Sequence, residues 1–169
     1  RATKESFDLI LLDVMLPGKN GFEVCKELRQ SGKDTAVLML SMHNEHEFAI
    51  RALKAGAAGY LNKQSAPAQL VVAIRQVAAG DKYVSPAVAQ ELANTINSDA
   101  DKPLYTTLSD REYQTLCFIA AGKTLSEISS EMFLSPKTVS VYRSRLLEKL
   151  KLSNNSELIR YAIKNKLID

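Results

Sequence analysis

The stretch "FDLILLDVMLPGKNG", beginning at Phe7, constrains the fold more than any other part of the chain. An apolar run interrupted by one carboxylate and followed by Pro17 and Gly18 reads as a strand buried on both faces, as in a parallel sheet. Asp13 then falls at the carboxyl end of that strand, the edge where open α/β sheets place ligands and chemistry. Two more short apolar runs follow, "AVLMLS" ending at Ser41 and "AGYLNK" ending at Lys63. They alternate with segments of helical spacing at 21–30, 45–55 and 67–79. Strands alternating with helices of this length imply right-handed βαβ crossovers, so the first part of the chain is α/β.

The second part has a different grammar. A helix is expected over 84–97, and "NSDADKP" then has the polar, proline-terminated composition of a linker. Beyond it no β-rich run appears. Ser109 with Glu112, Thr124 with Glu127, and Asn154 with Glu157 are spaced as capping boxes, and Ser135 precedes a proline suited to a first helical position. Four start signals predict four short helices. The helix expected over 124–132 is joined to the one after Ser135 by "FLSP", as a helix-turn-helix requires.

On that third helix Val139, Tyr142, Leu146 and Leu150 fall on one stripe, which should face the core. Lys137, Ser140, Val141, Ser144, Arg145 and Glu148 point the other way, with Arg143 on the border. Charge sharpens the reading. Residues 1–103 are balanced, and the whole net charge of +3 lies in 104–169. Five basic residues between Ser135 and Lys151 face Glu148 alone, which is the footprint of contact with a phosphate backbone. The third helix is a candidate for the major groove, its short side chains allowing close approach to base edges.

Composition excludes other classes. With 46% apolar and 24% charged residues in 169, no run reaches the length of a membrane span, and no signal peptide is visible. No membrane partner is expected, and the cytoplasm is the expected compartment. Cys25 and Cys117 lie far apart in apolar contexts and are expected to be reduced core thiols. His43 and His46, three apart and without an evident third ligand, read as solvated side chains rather than a metal site.

These residues also carry a family resemblance. "FDLILLDVMLPGKNG" through "GAAGYLNK" resembles the receiver domain of two-component response regulators. "LSDREYQTLCFIAAGKTLSEISSEMFLSPKTVSVYRSRLLEKLKLSNNSEL" resembles the LuxR-type helix-turn-helix. The pair in this order is similar to a NarL/FixJ-type response regulator. The resemblance implies a flavodoxin-like parallel sheet over 1–82, a helix and linker over 83–103, and an all-α four-helix domain over 104–169. It implies phosphorylation at Asp13, with the backbone carbonyl of Met15 as a Mg2+ ligand and Ser41, Tyr60 and Lys63 as switch residues. On the DNA side it implies Ser140, Val141 and Ser144 facing bases, and Lys137, Thr138, Arg143, Arg145 and Lys149 reaching phosphates. The implied partners are double-stranded promoter DNA, a sensor histidine kinase and a second copy of the chain, with half-sites about one helical turn apart. The last helix supports pairing, since Leu158, Ile159, Ala162, Ile163 and Leu167 form a wide apolar stripe.

The chain departs from the family pattern in three ways. Ser140 and Tyr142 stand where lysine and histidine are common, so the preferred DNA sequence does not carry over. Gln64 replaces a frequent proline. Three βα units are visible where receivers have five, so the expectation is a receiver lacking its first two units and the acidic pair that completes the magnesium site. A native protein longer by roughly fifty residues is expected on that count. An enzyme is not expected, because a haloacid-dehalogenase-like nucleophile has a second aspartate where this chain has Met15. The alternative is a truncated regulator independent of phosphorylation, or a protein-interaction module.

Overall fold

The apolar run after Phe7 forms strand β1 (Leu9–Asp13), which pairs in parallel with β2 (Ala36–Ser41), itself paired in parallel with β3 (Gly59–Asn62). The order β1-β2-β3 follows the sequence, so each crossover carries a helix: α1 (Gly21–Gln30) and α2 (Glu45–Lys54). Helix α3 (Pro67–Ala78) returns over one face of the sheet, where Ala73 and Val77 pack with Leu38 and Leu61. Val37 and Met39 alternate to the other face and are fully buried, as are Phe22 of α1 and Phe48 of α2, whose rings stack at 6.1 Å. β1 is an edge strand, with Leu11 45% exposed.

The computed structural model describes residues 5–42, 45–65, 67–96 and 103–168. The chain divides into two compact units, Arg1–Asn97 and Ser98–Asp169. The helix expected within 83–103 is α4 (Pro86–Ile96); it belongs to the first unit and packs on α2. Most of the expected linker and His43 lie outside the described residues, as does the side chain of His46.

One connection was not anticipated. After α3 the chain comes back to the sheet, and Tyr83 bridges Gly59 in parallel. The Tyr83 amide donates to the Ala58 carbonyl at 3.0 Å, and the Tyr60 amide donates to the Tyr83 carbonyl at 3.1 Å. Only glycine fits at position 59, because a Cβ there would stand 2.7 Å from the Tyr83 carbonyl oxygen.

The second unit starts with a 3-10 turn, Leu104–Thr107, whose Tyr105 amide donates to the Tyr161 hydroxyl at 3.2 Å. Helices α5 (Asp110–Ala120), α6 (Leu125–Glu131), α7 (Pro136–Leu150) and α8 (Asn155–Lys164) follow. α5 is central, packing against each of the other three. Leu116, Ile128, Val139, Leu146, Leu158 and Ala162 are fully buried and make the core.

The expected caps form because each supplies an acceptor to an orphan amide. Ser109 with Glu112 and Thr124 with Glu127 are complete boxes, and Ser135 accepts from the Thr138 amide with Pro136 in the first turn. Asn154 also accepts from the Glu157 amide, but the Glu157 carboxylate reaches the Ser153 amide at 2.6 Å instead of Asn154, so that box is shifted by one residue. A further box, Asn20 with Glu23, starts α1 and was not anticipated.

Candidate functional site

Register brings the first group of residues together. Asp13 is the partner of Leu40, and Ser41 that of Asn62, so Asp13, Ser41 and Lys63 all lie at the carboxyl edge of the sheet. The Lys63 amide donates to the Ser41 carbonyl at 2.8 Å, which fixes the lysine just beyond β3. From there its ammonium pairs with Asp13 Oδ2. The other carboxylate oxygen, Oδ1, accepts the Met15 amide at 3.0 Å. Both charged side chains remain about one-third exposed, so the pair is open to a reactant.

The loop after β1 is held tightly against this group. The Gly21 amide donates to the Val14 carbonyl at 2.9 Å, and a Cβ at Gly21 would lie 2.3 Å from the Asp13 carbonyl oxygen. The start of α1 therefore packs directly on the Asp13 backbone, with Gly18 in the left-handed region (φ 81°) turning the chain between them. Ser41 is fully buried and Tyr60 nearly so. Of the oxygen donors expected for magnesium, Asp13 stands at this edge, and a magnesium ion bound there would keep several waters. Among the described residues no three His, Cys, Asp or Glu side chains cluster as metal ligands. The described side chains alone do not compose the expected magnesium site.

The second group lies on α7. Its core stripe is as the spacing predicted: Val139, Leu146 and Leu150 are buried and Tyr142 is half-buried. The turn before it is tight because Phe133 adopts a left-handed conformation (φ 54°), which lets the Leu134 amide reach the Ser129 carbonyl at 2.8 Å. On the opposite face Lys137, Val141, Ser144 and Arg145 are exposed and Ser140 is partly so. Lys137 and Arg145 make no polar side-chain contact among the described residues. Thr138 hydrogen-bonds the capping hydroxyl of Ser135 at 2.8 Å, and so serves the helix start.

Two of the expected phosphate contacts are already engaged. Lys149 Nζ donates to Glu112 Oε2 at 2.7 Å, and the Glu112 side chain is only 3% exposed. This lysine ties α7 to the cap of α5 and is paired there with a carboxylate. Burial by itself would raise the Glu112 carboxyl, but the hydrogen bonds from Lys149 and Ser109 outweigh it and hold the group below the ordinary range. Arg143 Nε donates to Asn155 Oδ1 on α8 at 2.6 Å. Neither partnership has a local signal, since each joins residues distant in sequence.

Both cysteines are buried thiols outside any disulfide, and burial pushes the Cys25 thiol up, as in an inert core residue. No helix among the described residues is long and apolar enough to cross a membrane.

A partly exposed carboxylate–lysine pair at the edge of a parallel sheet and a basic helix-turn-helix on one chain together define a class, and comparison with known proteins agrees. Residues 1–75 match the response regulator receiver domain family, and residues 106–162 match the bacterial regulatory proteins of the luxR family. Response regulator UvrY of Escherichia coli is 37% identical over 161 residues, covering 95% of this chain and 74% of that protein. Response regulator GacA of Pseudomonas aeruginosa is 38% identical over 163 residues, covering 96% and 76%. RcsB of Salmonella enterica serovar Typhimurium, solved bound to promoter rprA, shares the fold at a TM-score of 0.54 and 23% identity, covering 94% of this chain and 76% of that one. The chain belongs to the NarL/FixJ-type two-component response regulators, and it is a transcription regulator with a receiver and a LuxR-type DNA-binding domain.

Proposed function

We propose that Asp13 is the phosphoryl acceptor and that its modification shifts an equilibrium governing how the α7 face engages promoter DNA. The observation that carries this reading is the exposed Asp13–Lys63 pair at the carboxyl edge of the sheet, on the same chain as a helix whose Lys137 and Arg145 are uncommitted. A carboxylate oxygen attacks the phosphorus of a phosphohistidine on a sensor kinase. The O–P bond forms as the N–P bond breaks, and the imidazole leaves. The Lys63 ammonium offsets the charge that accumulates on the transferred group. The acyl phosphate adds charge and acceptor oxygens beside Ser41, and that is how a local modification acquires differential interactions with two states.

On DNA, Ser140, Val141 and Ser144 face base edges while Lys137, Arg143 and Arg145 reach phosphates. Lys149 leaves the phosphate set because Glu112 holds it. A homodimer forms through α8, where Leu158 and Ala162 are buried in the domain but Ile163 remains 60% exposed and Ile159 half-buried. The regulator acts in the cytoplasm, where promoter DNA and the kinase's phosphorylated domain are both accessible.

The test is phosphotransfer followed by DNA binding. Wild type incubated with a phosphorylated kinase domain gains one acid-labile phosphoryl group, and Asp13→Asn gains none. Label that persists in Asp13→Asn removes Asp13 as the acceptor.

A further inference from the structure

Asn155 serves no cap, yet its side chain is engaged. It is the first residue of α8, and the amides of that helix start are served by its neighbours: the Asn154 side chain accepts from the Glu157 amide, and the Glu157 carboxylate accepts from the Ser153 amide. Asn155 is exposed, and its Oδ1 accepts Arg143 Nε at 2.6 Å. Among the described residues, that is the one side-chain hydrogen bond linking the outward border of α7 to α8.

Resting on the DNA-binding reading above, we propose that Asn155 is a positioning residue that presents the Arg143 guanidinium to a backbone phosphate. Arginine carries five N–H donors in one rigid plane. Holding Nε therefore restricts the plane, and it leaves the donors of both terminal nitrogens for another acceptor. Those donors match two oxygens of one phosphate. An arginine held this way has already lost much of its rotamer freedom, so less is lost on binding.

Helix geometry selects phosphate over base. Residues two apart on a helix point about 200° apart, so Arg143 and Arg145 leave α7 on nearly opposite sides. A helix lying in the major groove would present one to each wall, with Val141 and Ser144 facing the floor between them. Arg143 is drawn by Asn155 toward α8 and away from the floor, which directs it to the sugar–phosphate strand.

Phosphate contacts carry no sequence information, so a fluorescent 30-base-pair duplex of mixed sequence is a sufficient probe, titrated from about 50 to 200 mM salt. Arg143→Ala in the full chain lowers affinity about tenfold and makes the salt slope shallower by about 0.9. Asn155→Ala lowers affinity about threefold to fivefold, and in the Arg143→Ala background it costs less than about 1.5-fold, because coupled residues are not additive. Asn155→Asp separates positioning from helix stability. A carboxylate at a helix start raises or maintains thermal stability, yet here it captures the guanidinium and weakens binding beyond Asn155→Ala.

Unchanged binding by Asn155→Ala while Arg143→Ala and Arg145→Ala both weaken it overturns the positioning role alone. An equal loss in the Arg143→Ala background does the same. Wild type that shows no salt-dependent binding to the duplex overturns the DNA-binding reading and this inference with it.

Discussion

The two units place their chemistry in opposite ways. In the first, the proposed chemistry converges on one ion pair, Asp13 with Lys63, held by three strand ends and a loop that a single Cβ at Gly21 would disrupt. In the second the proposed contacts are spread along one face of α7, and the core stripe behind them fixes the orientation of that face. Concentrated sites fail all at once and distributed sites fail by degrees. That difference is the most direct way to test which unit does what.

The largest effect belongs to the concentrated site. Asp13→Asn abolishes acyl-phosphate formation, seen as loss of the mass added by one phosphoryl group, and leaves unphosphorylated DNA affinity within about twofold. A large loss of unphosphorylated affinity would break the separation of roles. Gly59→Ala comes next. A Cβ 2.7 Å from the Tyr83 carbonyl oxygen forces the bridge apart and destabilises the first unit by about 1–3 kcal/mol in denaturant melts, with the second unit's transition unmoved. If both transitions move together, the units are not independent cooperative blocks.

The distributed site gives graded losses. Arg145→Ala weakens duplex binding about tenfold and reduces the salt slope by about 0.9, whereas Lys149→Ala leaves the slope unchanged because that lysine is paired with Glu112. A slope change for Lys149→Ala equal to that for Arg145→Ala would return it to the phosphate set.

The smallest effect is one of pH. The Glu112 carboxyl sits below its ordinary value of 4.5 in the folded chain. A lowered folded value means that the charged form is favoured by folding, so its stabilisation is full above about pH 4.5 and fades as pH falls through the lower folded value. Glu112→Gln flattens that acid limb in the second unit's melt and costs about 1 kcal/mol at neutral pH through the weakened cap and the unpaired Lys149. An acid limb as steep in Glu112→Gln as in wild type assigns the titration to another carboxyl.

Much of this was legible in the sequence because it is local. Strand runs ending at Asp13, Ser41 and Lys63 placed those residues on one edge, since parallel strands share their carboxyl ends. The Ser109, Thr124 and Ser135 caps and the Val139–Leu146–Leu150 stripe depend on spacings of three and four residues, which a single helix reads out. Side-chain partnerships across elements have no such period. Lys149 with Glu112 is 37 residues apart, and Arg143 with Asn155 is 12. Charge counting therefore found the basic face of α7 but could not show that Lys149 is paired with Glu112. The Tyr83 bridge was missed for a related reason. One residue pairing with a strand leaves no alternating pattern, and its trace is a glycine at 59 whose lack of a side chain is meaningful only once Tyr83 is beside it.

The central claim is that modification of the concentrated site changes the behaviour of the distributed one. The direct measurement is duplex affinity by fluorescence anisotropy for full-length protein before and after phosphotransfer, with the phosphoryl group located on Asp13 by mass spectrometry. Phosphorylation is expected to shift affinity by at least about fivefold, corresponding to a coupling of about 1 kcal/mol or more, with no shift in Asp13→Asn. Identical affinities for protein phosphorylated on Asp13 and for unmodified protein would contradict it.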